Sequence, residues 1–450
     1  MSAPPRTSPT LPRDLGGGLV MRHATPADAD QIATHNSWVH TSYGATEPDL
    51  ATTAWTLDLF KGNHPTFRVE DFLVVEDTST GKIASTMNWI SQVWSYSGVP
   101  FKVGRPELVG THPDYRNRGL VRAQFDEVHR WSTERGELAQ AITGLRYYYR
   151  QFGYEMTLAM PGGRLGYRVH VPKPKDVGPE PYDIRPATED DLGLISGLYD
   201  SAMLRYLVTV VRRPEQWRYE LSGRREQSVA NYQLRVIQRT GGQPVGFLAH
   251  ASRMWGPTLA VQMYELLPGA SWNDVTPSVL RYVARTAEDY AARDGGPEFG
   301  AYYLSLGPTH PVYDAVPSLL PRKPEPYTHF MRVPNLPAFL RHVSPALDLR
   351  LAGSAAAGFT GALKLNFYRP AYRVLFEEGA LVAAAPYKPE HQEDGDAFFP
   401  DLTFLHLLFG YRSLEEVEYM FPDCWVHDDR TRLLLNSLFP KGNSFVIPIS

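Results

Sequence analysis

Cysteine is almost absent from this 450-residue chain: the single thiol, Cys424, has no partner for an intrachain disulfide. No Cys and His pairs have the spacing of a structural zinc site, and the 14 histidines include no His-x-x-x-His or His-Glu-x-x-His, so no metal is expected. Long hydrophobic runs are missing as well. "GALVAAAP" and "LTFLHLLFG" fall far short of the roughly 20 residues that span a bilayer, which predicts no membrane partner. Residues 1–17, rich in Pro, Ser and Gly, hold no apolar stretch that could serve as a signal-peptide core and read as a disordered tail. A reducing, cytoplasmic location follows as an expectation. Charge of one sign is also scarce: the net charge of -4 excludes a general nucleic-acid surface, which needs clustered Lys and Arg, so any basic site must be local.

What is present is length, enough for two to four domains with their own cores. Two segments resemble each other, "MRHATPADADQI" from Met21 and "IRPATEDDLGLI" from Ile184. Aligned on Arg22 and Arg185 they share Arg-x-Ala-Thr, an Asp (Asp28, Asp191) and an Ile (Ile32, Ile195). Each reads as a short strand entering a helix capped by Thr25 or Thr188, with the Asp completing a capping box. Between the copies, residues 171–181 carry four prolines and scattered charges and read as a linker. Prolines break the pattern again near "RKPEPYTHFMRVPNL". The expected division is therefore 1–17, 18–170, 171–181, 182–330 and 331–450.

The last segment has its own pattern. "LKLNF" and "YRVLFEEGALV" read as antiparallel strands turning at Glu378 and Gly379. "DLTFLHLLFG" reads as a helix capped by Asp401 and stopped by Gly410, and "SLEEVEYMF" as one with a Ser413/Glu416 capping box. "RLLLNSLF" continues as a helix and "SFVIPIS" as a strand, giving a small α+β unit with an apolar interior.

Chemistry concentrates at residues 103–154. "ELVGT", residues 107–111, ends a strand, and after "HPDYRNRG" the pattern turns helical through Val121, Phe125, Val128 and Trp131. A basic, Gly-containing turn at a helix start suits a pyrophosphate: free backbone N–H groups and the helix dipole face the anion, and arginines add charge-assisted bonds. The Gly-rich "GSAAAGFTG" lacks the Lys-Ser/Thr of a phosphate-binding P-loop and reads as a flexible entry to a strand.

Residues 106–154 resemble the acetyl-CoA-binding core of the GCN5-related N-acetyltransferase (GNAT) superfamily, whose signature is Gln/Arg-x-x-Gly-x-Gly/Ala. Here it reads Arg116, Asn117, Arg118, Gly119, Leu120, Val121, then Arg122. Val121 replaces the last small residue, which is compatible with an Arg-Gly-Leu-x-Arg variant. Tyr149, Phe152, Gly153 and Tyr154 match a Tyr-x-x-Phe-Gly-Tyr/Phe segment common after the cofactor strand. The whole-chain plan resembles the enhanced-intracellular-survival (Eis) type. That resemblance implies a mixed α/β (α+β) fold, with tandem GNAT-fold domains followed by a sterol-carrier-protein-like α+β domain. It also implies a homo-oligomer. The second copy has no Arg-x-x-Gly around "YELLPGASWNDVTPSVLRYV", so one acetyl-CoA site is expected, in the first domain.

The resemblance further implies Tyr149 as the acid that protonates the departing thiolate, and the terminal carboxylate on Ser450 as the base. Glu107 is the alternative base: many superfamily enzymes use a glutamate on this strand, and its parity matches Val109 and Thr111. Acetyl-CoA is expected along Val109, Gly110 and Thr111, with Arg116 to Arg122 at the pyrophosphate and Gly144 and Leu145 as the other wall. The expected acceptor is a primary amine, aminoglycoside-like, polyamine or lysine. An alternative is a protein that binds a hydrophobic ligand in its tail domain and keeps the acetyltransferase unit as a vestige or regulator.

Overall fold

The structure is a computed structural model that describes residues 11–41, 45–174 and 179–447. The chain opens with β1 (Arg13–Gly16) and β2 (Leu19–His23), then α1 (Ala29–Val39) and α2 (Leu50–Phe60). β3 (Phe72–Asp77), β4 (Lys82–Tyr96) and β5 (Val99–Thr111) form an antiparallel meander, with β4 and β5 a long hairpin. α3 (Leu120–Glu134) crosses over to β6 (Ala139–Ile142), which lies parallel to β5, and β7 (Glu155–Ala159) follows. α3 sits on the sheet through Leu120, Phe125, Val128 and Trp131, and each large side chain so buried contributes about 1.5–3 kcal/mol. β1 corrects the expected tail: residues 13–16 pair antiparallel with β2, because the Gly16 to Gly18 turn folds them back onto the sheet.

The next strands are β8 (Arg164–Tyr167) and β9 (Tyr182–Pro186), then α4 (Leu192–Met203) and β10 (Val208–Val210). After them come β11 (Tyr232–Arg239), β12 (Pro244–Ala251), β13 (Thr258–Leu266), β14 (Ala301–Leu304) and β15 (Thr328–Arg332). The second sheet runs β8-β14-β13-β12-β11-β9. The first runs β1-β2-β3-β4-β5-β6-β15-β7, with β10 attached to β4. The boundaries expected at 170 and 330 therefore do not follow the sheets. β8 is an edge strand of the second sheet, while β15, flanked by prolines that read as linker, fills the place between β6 and β7. Each unit lends the other a strand, so neither sheet is complete within a contiguous stretch of chain.

The repeated sequence segments adopt the same local structure. Arg22 forks onto Asp28 at 2.8 and 2.9 Å, and Arg185 onto Asp191 at 2.7 and 2.8 Å. Asp28 also accepts from the Thr25 backbone N–H, as Asp191 does from Thr188. Thr25 and Thr188 stand at the N-cap positions, and each entry forms the expected capping box with its Asp.

The third sheet is ordered β18-β17-β16-β19-β20, from β16 (Gly361–Asn366), β17 (Ala371–Glu377), β18 (Ala380–Pro386), β19 (Ala397–Phe398) and β20 (Trp425–Val426). Glu378 and Gly379, both with positive φ, close the expected hairpin. The helix expected from Asp401 begins instead at Phe404, after Thr403: Asp401 is itself left-handed at φ 43°, a turn residue rather than a cap. Gly410 ends this helix, and Ser413 and Glu416 cap the next as expected. The core of this unit continues into Trp94, Tyr96 and Phe101 at the tip of the β4–β5 hairpin, and the Tyr96 hydroxyl donates to the Leu408 carbonyl at 2.7 Å. In place of the expected terminal strand, Phe445 makes an isolated bridge to Thr209 of β10, and Arg212 Nη2 donates to the Ile447 carbonyl at 3.0 Å.

Candidate active site

The site starts from a break in the β4–β5 ladder. Asn88 pairs with Glu107 and Thr86 with Gly110, so Leu108 and Val109 together face one residue of β4. Leu108 has φ 50°, and this bulge reverses the side-chain alternation beyond it. The expected shared parity of Glu107 with Val109 and Thr111 is thus corrected. Thr111 pairs with Ser85, whose hydroxyl binds Gln124 on α3, while Glu107 shares its face with Arg105 and Asn88.

Past the bulge the chain makes the basic turn. Asn117 at φ 62° and Gly119 at φ 75° are both left-handed, and Gly119 is the N-cap of α3, with nothing within 4 Å of where a Cβ would stand. Gly is needed there for its backbone, not for space. The arginines are laid out by their neighbours: Arg118 stacks on Tyr115 at 5.2 Å, and Arg122 lies over Phe152 at 5.4 Å and donates to Gln151 at 2.9 Å.

The bulge and the turn line one cavity of about 1080 Å³. Val109, Gly110, Thr111, Arg116, Asn117, Arg118, Gly119, Leu120, Val121, Arg122, Gly144 and Leu145 all border it, as do Glu107 and Tyr149. Ser450 lies outside the described residues. The structure thus brings together every expected site residue that it describes.

Tyr149 sits in a short 3-10 turn, Tyr148–Phe152, with its ring held edge-on by Phe125 and Phe330. Gly144, at φ 142°, leaves room for it: a Cβ there would stand 3.1 Å from the Tyr149 hydroxyl oxygen. The Gly144 carbonyl is tied by the Tyr327 hydroxyl at 2.6 Å. Burial, and then the charge of Glu107, push the Tyr149 phenol up, so it stays protonated at neutral pH and can donate. Glu107 accepts from Arg105 Nη2 at 2.7 Å and Nε at 3.2 Å. Burial raises its carboxyl while Arg105 opposes the shift. A buried carboxylate raised in this way takes a proton more readily than a solvated one.

Sequence reasoning missed part of the cavity's border. Val39 and His40 at the end of α1, Thr52 and Trp55 of α2, and Val229 of the loop before β11 border it. None belongs to a motif, and Val229 arrives from the second unit. Arg105 could have been found, since it stands two positions before Glu107 on the same strand.

Residues 21–157 match the family model of an acetyltransferase (GNAT) domain. The first unit carries a GNAT acetyltransferase domain. Over its whole length the chain is similar to a conserved protein of Enterococcus faecalis, a probable N-acyltransferase, at 14% identity and a TM-score of 0.63, covering 96% of this chain and 99% of that one. A GCN5-related N-acetyltransferase from Kribbella flavida is similar at 15% identity and 0.60, with the same coverage. Eis1 from Mycobacterium abscessus is similar at 12% identity and 0.58, again covering 96% and 99%. At such identities these likenesses are of fold. No curated protein matches the chain. Within the GNAT domain the matched stretch contains the bulge, the basic turn and Tyr149, but ends before β15.

Proposed function

We propose that the protein transfers the acetyl group of acetyl-CoA to a primary amine within the cavity of its GNAT domain. The supporting observation is that one cavity is bordered by the Leu108 bulge, the Arg116 to Arg122 turn, Glu107 and Tyr149. The donor set suits the cosubstrate: left-handed Asn117 and Gly119 shape the start of α3, and three arginines offset the charge of a diphosphate. Acetyl-CoA supplies an activated thioester carbonyl.

The chain's own part is to move protons. An alkyl ammonium, which like a lysine side chain titrates near about 10.4, must lose a proton before attack, and a thiolate, which like cysteine titrates near about 8.5, must gain one on leaving. Tyr149 donates to the thiolate. Either Glu107 or the terminal carboxylate of Ser450 accepts from the amine. Phe445 bridges Thr209 of β10, the strand paired with the tip of the β4–β5 hairpin, and the Ile447 carbonyl accepts from Arg212 Nη2.

On this reading the second unit is a GNAT copy without a diphosphate turn. Its long helix, Trp272–Asp294, starts at Ser271 without an arginine before it. The third unit is sterol-carrier-like, and the enzyme is a cytoplasmic homo-oligomer acting on an aminoglycoside-like, polyamine or lysine amine.

The test is release of free CoA thiol from acetyl-CoA across an amine panel, with wild type beside Tyr149→Phe and a form extended past Ser450. Turnover that falls about 10²-fold or more in Tyr149→Phe supports the acid. Loss in the extended form assigns the base to the terminus, and retention assigns it to Glu107.

A further inference from the structure

The pair formed by Arg105 and Glu107 is asymmetric. Arg105 Nη2 and Nε donate at 2.7 and 3.2 Å to one and the same carboxylate oxygen, Oε1, and leave Oε2 out of the contact. Of the two side chains only Glu107 keeps exposed surface, 9% against none, and Glu107 is the one that borders the cavity. The third guanidinium nitrogen, Nη1, is buried with no partner among the described residues. An ion pair placed for stability alone gains most when the fork meets both oxygens and every N–H is bonded, because a buried donor left unmet is destabilising. Here one nitrogen goes unmet while two crowd a single oxygen.

Arg105 is also the cation in contact with this carboxylate. The titratable groups on neighbouring elements are Tyr149 in the 3-10 turn, His40 after α1, His329 of β15 and Tyr232 of β11. Burial holds the two phenols above and the two imidazoles below their ordinary values, so all four are neutral at pH 7. Arg212, Arg224 and Glu220 stand around Tyr232, but both bonds on Glu107 come from Arg105.

Resting on the acetyl-transfer reading with Glu107 as base, we propose that Arg105 is a positioning residue: with two donors on Oε1 it fixes the carboxylate and presents Oε2 to the amine. An incoming ammonium gives one proton to Oε2, the nitrogen bonds to the acetyl carbon, and the carbon–sulfur bond breaks. The thiolate takes the Tyr149 proton, the second nitrogen proton restores Tyr149, and the first leaves Glu107 for solvent, giving the amide and free CoA.

The test is kcat against pH for Arg105→Gln, Arg105→Lys, Glu107→Gln and the double Gln variant, with acetyl-CoA affinity and thermal melting as checks of the fold. Arg105→Gln leaves a buried carboxyl without its cation, so the acidic limb should move upward by at least about one pH unit, and activity lost at pH 7 should recover about tenfold by pH 9. Arg105→Lys keeps the charge and loses the two-donor grip. Its limb should stay within about half a pH unit while kcat falls about tenfold. In the Glu107→Gln background, Arg105→Gln should change kcat by less than about twofold. A loss in Arg105→Gln that is uniform across pH, a further fall in the double variant, or a wild-type kcat in Arg105→Lys would overturn the proposal; the last of these decides the matter even where Arg105→Gln does not fold. Glu107→Gln with the wild-type rate and limb would instead remove the reading that Glu107 is the base, and the proposal with it.

Discussion

The ring of Tyr149 meets that of Phe330 edge-to-face, with centroids 5.4 Å apart, although Phe330 comes from the strand that the chain inserts between β6 and β7 only after completing most of the second unit. Phe330 is fully buried and Tyr149 nearly so, so one ring positions the other. Phe330→Leu keeps an apolar side chain but removes the flat edge. It should lower kcat by about tenfold or more through misplacement of the hydroxyl, while leaving acetyl-CoA affinity within about twofold. Steady-state kinetics beside calorimetric binding checks this; a parallel loss of binding would show collapse of the site rather than misorientation.

The pH profile should reveal the base. Burial places the Glu107 carboxyl above its usual range, and burial with the Glu107 charge places the Tyr149 phenol above its own. With saturating substrates, kcat should fall as pH drops and Glu107 gains its proton. It should show no descending limb from Tyr149 up to about pH 9, below the ordinary phenol value near 10. Glu107→Gln should remove the acidic limb together with most of the activity. If the limb survives in that variant, the proton acceptor is elsewhere, with the terminal carboxylate first in line.

Gly119 gives a prediction about binding alone. Its φ of 75° disfavours any L side chain, yet a Cβ there would touch nothing. Gly119→Ala therefore acts through the backbone of the turn, at a cost of about 1 kcal/mol. The KM for acetyl-CoA should rise about fivefold to tenfold with kcat nearly unchanged. A fall in kcat with constant KM would mean that the turn does not hold the cosubstrate.

Local features of this chain were readable before its structure. The Arg22/Asp28 and Arg185/Asp191 helix entries, the Glu378–Gly379 hairpin, the Ser413 capping box and the basic turn before α3 each depend on residues within a few positions of one another. The bulge at Leu108 was hidden because nothing in "ELVGT" says where the partner strand will skip a residue, and the face of Thr111 was misread as a result. The exchange of β8 and β15 was hidden because strand pairing is decided by distant chain, and the three prolines Pro324, Pro326 and Pro334 around Thr328–Arg332 imitate a linker. His40, Trp55 and Val229 reach the cavity only through packing of α1, α2 and the second unit.

The exchange makes the first two units interdependent. Without β15, the backbone groups of β6 and β7 that pair with it would be left open, and Phe330 would be missing from beside Tyr149. A fragment of residues 11–163 should therefore fail to give a soluble, acetyl-CoA-binding domain. Adding the second unit through residue 335 should restore folding of the first sheet, read by circular dichroism and thermal melting. A well-folded short fragment would show that β15 is dispensable.

The duplicated helix entries allow a test of charge against geometry. Hydrogen bonds from Arg22, aided by Thr25, lower the Asp28 carboxyl to about 2, and Arg185 with Thr188 does the same for Asp191. A carboxyl depressed on folding adds stability that is fully present above its unfolded value of about 3.9 and is lost as pH falls toward the folded value. Asp28→Asn and Asp191→Asn should each cost about 1 kcal/mol at pH 7, after allowance for the partial exposure of the arginines. Because the two pairs lie in different sheets, the double variant should lose close to the sum. The gap to wild type in urea denaturation should narrow between pH 4 and pH 2. A cost that stays constant over that range would assign the loss to the shape of the turn, since an asparagine and a protonated aspartate differ little in charge but still differ in what they accept from the threonine N–H.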